Sequence, residues 1–388
     1  MAYIERLLAT QVLKAGRAFS AVLLTGPRQC GKTTLFRHLH PRANYILLED
    51  PDVVSRVRSD PRAFMEALRT PVILDEIQNT PELMNYVRAR IDAAPAKKGQ
   101  WLLTGSQEAP LMQGVTESMA GRAAILHLLP VSTIESPKVN VFRGGYPGVV
   151  TRPSAADLWF RSYVQTYLER DVRAVTAIRD LGAFRRFLAL LASRAGGMLN
   201  KTDIAAPLGV SVPTITEWLN ALEVTGQILV VPPYFENFGK RLVKTPKVYF
   251  VDTGLACHLL GIEKAAALRT SPFLGPLFEG FVASEIAKLQ VNRGGRPEIY
   301  YFRDQQGLEV DFVVPLKSQR LALIEAKATR TPTPAMAQSL RRLSSAITGH
   351  PTTSMLVHDG SERPVAGGAL VPHVAAVTLS GLLAKLGQ

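Results

Sequence analysis

Residues 21–35 read AVLLTGPRQCGKTTL, and the character of the chain changes twice within them. Ala21 to Leu24 is a short apolar run of strand type, and from Thr34-Leu35-Phe36 the spacing becomes helical. Between the two lies Gly26-Pro27-Arg28-Gln29-Cys30-Gly31-Lys32-Thr33. It fits G-x-x-x-x-G-K-[ST] in the strand–loop–helix setting that the motif requires. Gly26 and Gly31 let the backbone curl so that successive N–H groups face one phosphate cluster. The positive end of the following helix points at the same anion. Lys32 then reaches the β- and γ-phosphates, and the Thr33 hydroxyl can ligate Mg²⁺. Residues 26–34, ending at Thr34, are therefore expected to bind ATP with Mg²⁺.

Two more strand-like runs supply partners for that site. Pro71-Val-Ile-Leu-Asp75-Glu76-Ile-Gln78 is a buried-type strand that ends in two acids. Adjacent carboxylates at a strand tip stabilise a fold poorly but suit metal-assisted hydrolysis. Asp75 would hold Mg²⁺ through water, and Glu76 would polarise the attacking water. Trp101-Leu-Leu-Thr-Gly-Ser106 also ends in polar residues. Ser106, or with less claim Thr104, could sense the γ-phosphate; the other reading is a capped helix start. In Ser118-Met-Ala-Gly121-Arg122 a lone arginine precedes the apolar strand at 123–129. Presented across a subunit boundary, Arg122 would stabilise charge on the γ-phosphate; otherwise it is a structural ion pair.

In this order, GPRQCGKTTL, VILDEIQ, LLTGS and SMAGRAA resemble the bacterial and archaeal AAA-type ATPase family that carries a C-terminal DUF4143-like domain. GGYP (144–147), YLERDV (167–172) and PKVYFVDTGLA (246–256) are similar to it as well. The resemblance covers nearly the whole chain. It implies an α/β fold with a three-layer P-loop AAA-type ATPase core and an extra catalytic acid, here Glu76.

Charge and composition narrow the class. The formal charge of +13 attracts polyanions and brings nucleic acid, DNA first, forward as a partner. The longest apolar runs, 122–131 and 226–235, fall far short of the roughly 20 residues that span a bilayer. The N-terminus has helical spacing with charges interleaved, and the two cysteines, Cys30 and Cys257, make no disulfide framework. A cytoplasmic protein without membrane partners is expected.

Residues 141–150, VFRGGYPGVV, read as a linker. Beyond it, NKTDIAAPLGVSVPTITEWLNALEVT (200–225) has helix-turn-helix spacing, with Gly209 at the turn. Two strands, 226–235 and 247–251, flank a basic tip, which outlines a winged helix. The second helix offers no arginine or lysine for base reading. The tip carries Lys240, Arg241, Lys244 and Lys247, which suit phosphate contact.

The C-terminal part holds a second constellation. A helix carries Glu279 and Glu285, and a hairpin carries Asp311 on one strand with Glu325 and Lys327 on the next. Alternation puts Glu325 and Lys327 on one face. Asp311 can face them, and either helix acid can complete the cluster. Asp…Glu-x-Lys resembles the PD-(D/E)XK nuclease superfamily; the resemblance makes Asp311 and Glu325 metal ligands and Lys327 the residue that positions the nucleophile. Val310 stands where that pattern usually has proline.

Three modules are expected: an ATPase core (1–150), a helical and winged-helix section (151–262), and an α/β restriction-endonuclease-like domain (263–388). The leading expectation is an ATP-driven homo-oligomer acting on nucleic acid. A nucleotide-controlled switch with a degenerate nuclease-like domain, and an ATP-gated nuclease, are the alternatives.

Overall fold

The structure, a computed structural model, describes residues 3–105, 119–168, 180–234, 244–360 and 369–387. Its first sheet is wholly parallel: β1 (Ala21–Thr25), β2 (Asn44–Leu47), β3 (Val72–Asp75), β4 (Trp101–Thr104) and β5 (Ala123–His127), in the order β2-β3-β4-β1-β5. Alternation along β1 serves both faces. Val22 and Leu24 pack with Leu8, Val12, Leu35 and Phe36 of the N-terminal segment and of helices Ala9–Ala18 and Lys32–Leu39. Ala21 and Leu23 pack on the other side with Val57, Met65, Leu83 and Val87, from helices Pro51–Ser59, Pro61–Ala67 and Leu83–Ala93. A parallel strand buried on both faces needs consecutive apolar residues, which explains the unbroken run in β1. The result is three layers. Because β4 lies between β1 and β3, Thr104 at its tip stands between the phosphate loop and Asp75. Ligands of such sheets bind at the C-terminal ends of the strands.

Residues 141–150 are not a loose linker. They fold into the helix Pro147–Thr151 and bury Val149 and Val150. The Gly145 N–H donates to Asp252 Oδ2 at 2.7 Å, and Asp252 Oδ1 caps helix Thr253–Leu259 by accepting from Leu255 N–H at 3.0 Å. Gly144 adopts φ +68°, where a Cβ would lie 2.0 Å from Asp252 Oδ1. The strings GGYP and VDTGLA are thus the two halves of one packing contact. Gly and Pro serve close approach here, not flexibility.

Helices Leu181–Ser193, Lys201–Leu208 and Val212–Val224 follow, packed around Phe184, Phe187 and Trp218. Gly209 takes the left-handed turn at φ +67°. An antiparallel pair, β6 (Ile228–Val231) and β7 (Lys247–Phe250), completes this part. The last sheet is mixed and six-stranded: β8 (Tyr300–Arg303), β9 (Glu309–Leu316), β10 (Arg320–Lys327), β11 (Thr352–His358), β12 (Ala369–Val371) and β13 (Val374–Val377), in the order β12-β13-β11-β10-β9-β8. Helix Leu274–Asn292 covers one face through Phe278, Val282 and Ile286; helix Gln338–Ala346 covers the other through Leu340 and Leu343. β9 and β10 form the antiparallel hairpin expected from the sequence. Among the described residues no helix is long and apolar enough to cross a membrane.

Candidate nucleotide site and C-terminal charged cluster

The phosphate loop closes as its glycines require. Gly26 has φ +136°, and a Cβ there would sit 2.1 Å from the Leu128 carbonyl oxygen, so no other residue fits. Gln29 (φ 62°) and Gly31 (φ 100°) take left-handed conformations on either side of Cys30. The buried Cys30 thiol donates to the Leu128 carbonyl at 3.2 Å, and burial pushes its pKa up. Its side chain is core, which leaves its backbone for the ligand. Lys32 is 5% exposed, and its Nζ donates to the carbonyls of Gly26 (2.8 Å) and Pro27 (3.0 Å). Two of the three ammonium donors hold the loop, and one remains for a ligand.

Asp75 collects three hydroxyl groups. Thr33 Oγ1 donates to it at 2.8 and 3.0 Å, Tyr45 Oη at 2.8 Å, and Thr104 Oγ1 donates as well. Burial, then the carboxylate it bonds, push the Tyr45 phenol far up, so it stays a donor. Glu76 follows with φ 61°, uncommon for a residue with a side chain and a mark of functional sites. Its N–H donates to Thr104 Oγ1 at 3.1 Å; its carboxylate accepts from Gln78 Nε2 and lies 3.5 Å from Arg28 Nη1. The tip of β4 therefore positions both acids at once.

The loop opens on a cavity of about 420 Å³ whose other walls include Tyr3, Arg6, Glu76, Arg152 and Trp159. The site fits a magnesium nucleotide. A hydroxyl and a carboxylate 2.8 Å apart offer hard oxygen ligands, and Mg²⁺ in such sites takes few protein ligands besides the phosphates.

A second group of charges lies at the C-terminal sheet. Lys327 Nζ donates to Glu325 Oε1 at 2.6 Å and lies 3.9 Å from Asp311 Oδ2, which itself accepts from Ala326 N–H at 2.9 Å. Glu279 joins them from the long helix, bonded by Tyr249 Oη (2.5 Å) and Lys247 Nζ (3.0 Å). Burial and the Asp311 charge push Glu279 up to about 7 and Glu325 up to about 8, against the pull of Lys247 and Lys327 respectively. The folded chain thus keeps protons that the unfolded chain gives up above the ordinary carboxyl value of 4.5. Stability must fall as pH rises through the window from 4.5 to about 8, because the native state binds more protons there. Urea unfolding of the wild type should show this decline, and Glu325→Gln should flatten it. An equally steep decline in Glu325→Gln would remove Glu325 as its source.

Family models match the chain almost end to end. They are an AAA domain over residues 18–136, a domain of unknown function (DUF8612) over 135–266, and another (DUF4143) over 274–376. The chain is 33% identical over 340 residues to the uncharacterized protein Rv2008c of Mycobacterium tuberculosis, a match covering 86% of this chain and 75% of that protein. The chain belongs to this family of DUF4143-bearing AAA ATPases. Mb2031c of Mycobacterium bovis matches to the same extent. Among solved structures, the Walker-type ATPase PABY2304 of Pyrococcus abyssi is similar over 66% of this chain and 96% of its own, at 17% identity and a TM-score of 0.44. RuvB of Thermotoga maritima, a Holliday junction branch migration motor, is similar over 58% and 89%, at 19% identity and a TM-score of 0.30.

Within this AAA-family chain several expected roles shift. Glu285 does not join the C-terminal cluster. It is buried against Thr133, accepting from its N–H (2.7 Å) and hydroxyl (2.6 Å), and pairs with Lys288 at 2.9 Å. Lys247, expected on a basic surface tip, is 2% exposed and belongs to the acid cluster, since β7 packs its first residue against the C-terminal sheet. Lys244 is exposed, whereas Lys240, Arg241 and Ser106 lie outside the described residues. Arg122 precedes β5 at the N-terminal end of the strands, opposite the end that carries the phosphate loop, and forms a two-pronged pair with Asp92, at 2.5 and 3.1 Å. It cannot reach the phosphates of its own loop.

Arg6, Arg152 and Trp159 are among the wall residues that escaped the sequence reading. Arg6 is 6% exposed and donates to the carbonyls of Cys30 (2.8 Å) and Leu129 (2.6 Å) and to Glu135 (3.1 Å), so it braces the phosphate loop from behind. Arg152 and Trp159 arrive from the segment after GGYP. None of the three belongs to a local motif; their roles come from chain return, which spacing does not report.

Proposed function

We propose that this protein hydrolyses ATP, with Glu76 polarising the attacking water. The observation that carries the reading is the hydroxyl ring on Asp75, which fixes that carboxylate beside Thr33 and leaves the neighbouring Glu76 on the cavity wall. Lys32 and the loop N–H groups hold the phosphates. Thr33 and Asp75 would hold Mg²⁺, which supplies charge neutralisation when bound. Glu76 must release or share Gln78 and Arg28 before it takes a proton. That restraint favours slow basal turnover that a partner accelerates, and it is the observation behind a switch as the second reading.

For the partner we propose nucleic acid, DNA first. The +13 charge and exposed Lys244 support it. The helix Val212–Val224 uses Ser211, Thr214 and Thr216 in its own capping and backbone bonds, so contact should rest on phosphates and tolerate any sequence. Steady-state ATPase with single-stranded, double-stranded and branched DNA tests this. Stimulation of several-fold that fades steeply with salt is expected; no stimulation by any DNA would leave the switch reading. Arg122 can serve catalysis across a homo-oligomer interface alone. If it does, mixing Arg122→Ala with Lys32→Ala subunits should restore turnover that each lacks, and full turnover in Arg122→Ala would confine it to the Asp92 pair.

A further inference from the structure

The acids on the C-terminal sheet are already supplied with a cation from elsewhere in the chain. Lys247 Nζ lies 2.7 Å from Glu309 Oε1, 3.0 Å from Glu279 Oε1 and 4.0 Å from Asp311 Oδ1. Its ammonium also stands 5.5 Å over the Tyr301 ring. A second lysine, Lys327, pairs with Glu325. A nuclease of the type the sequence resembles would need Asp311 and Glu325 to share a divalent cation. Glu279, Glu309 and Asp311 converge on the Lys247 ammonium instead, and among the described residues no group of three acids, histidines or cysteines is placed to hold a metal ion. The donor set therefore does not fit that metal in this arrangement.

Lys247 does not arrive by chance packing. It opens β7, and the neighbouring backbone is tied to the same sheet at its edge strand β8. The Tyr234 N–H donates to the Tyr301 carbonyl at 2.7 Å, the Tyr301 N–H donates to the Pro232 carbonyl at 3.1 Å, and Tyr301 Oη donates to the Thr245 carbonyl. The β6–β7 pair is thus fastened to β8 by its backbone and to the acids by Lys247. Glu325 Oε2 is buried without a hydrogen-bond partner, on a residue only 7% exposed, so this carboxyl is met by Lys327 through Oε1 and not by Lys247.

We infer that Lys247 is the resident cation of this cluster, an ionic latch that seats the β6–β7 pair in place of a divalent metal. The latch closes the nuclease-like site while the pair is docked, and it joins the middle module to the C-terminal sheet through charge. This goes beyond the nucleotide reading and does not depend on it.

Thermal melting of the full chain without nucleotide, with and without Mg²⁺ or Mn²⁺, tests the latch. The wild type should melt at the same temperature with either metal. Lys247→Met, which keeps the apolar stem and removes the charge, should melt lower and gain a metal-dependent rise of several degrees. Adding Asp311→Asn to it should abolish that rise. A metal shift in the wild type that Asp311→Asn removes would overturn the latch, and so would a folded Lys247→Met that melts like the wild type or gains no shift. Should Lys247→Met fail to fold, Lys247→Met with Glu279→Gln should recover folding, since the loss then comes from an uncompensated buried acid. Failure of both would mean that packing, not charge, seats the pair, and would overturn the inference.

Discussion

Lys32→Ala is expected to lose nucleotide binding. Its ammonium is buried inside the phosphate loop, fastened to the Gly26 and Pro27 carbonyls at 2.8 and 3.0 Å. Truncation removes a charge-assisted bond to the phosphates, worth about 1.5–3 kcal/mol or roughly 10- to 100-fold in affinity. It also frees two loop carbonyls that shape the site. Titration with a fluorescent ATP analogue reads the effect directly. Affinity within a factor of about two of the wild type would mean the phosphates sit elsewhere.

Glu76→Gln should behave in the opposite way. The carboxamide keeps the size and can keep a hydrogen bond to Gln78, so nucleotide should bind nearly as in the wild type. What it lacks is a basic oxygen to take the proton of water. Turnover should fall by about 10²- to 10⁴-fold, the usual worth of a general base. The contrast between the two variants separates holding the phosphates from attacking them. Equal loss of binding in both would reassign Glu76 to a structural part.

The nucleotide site was legible because its information is local. Eight consecutive residues, 26–33, carry the loop, and the two acids end a single strand. Parallel pairing then carries the C-terminal tips of β1, β3 and β4 to one end of the sheet, and their apolar runs mark them as buried strands. The residues that escaped depend on distant returns of the chain. Arg6 reaches Cys30, Leu129 and Glu135 through a contact that no spacing near residue 6 announces. Glycine and proline content made 141–150 look like a linker, whereas the glycines there admit the Asp252 carboxylate at close range.

The C-terminal constellation was half legible, for a reason that helix geometry makes plain. Glu279 and Glu285 are six residues apart, about 240° around a helix, so they cannot serve one cluster. Periodicity alone could not say which faced the sheet; Glu279 does, and Glu285 faces Thr133. Lys247 misled because a lysine beside other lysines reads as solvated surface. Its burial follows from the docking of β7 against a sheet formed more than fifty residues later, where three acids outweigh the cost of desolvating one ammonium. Burial by itself would lower the Lys247 pKa, but Glu279, Asp311 and Glu309 override it and keep the group charged.

Glu76, in the proposed mechanism, is what makes a nucleotide-binding loop hydrolytic. Phosphate release and bound nucleotide, measured together on the same samples of wild type and Glu76→Gln with ATP and Mg²⁺, decide whether it does. Occupancy should be equal in both, with phosphate release in the wild type and almost none in the variant. Equal rates of release at equal occupancy would contradict it.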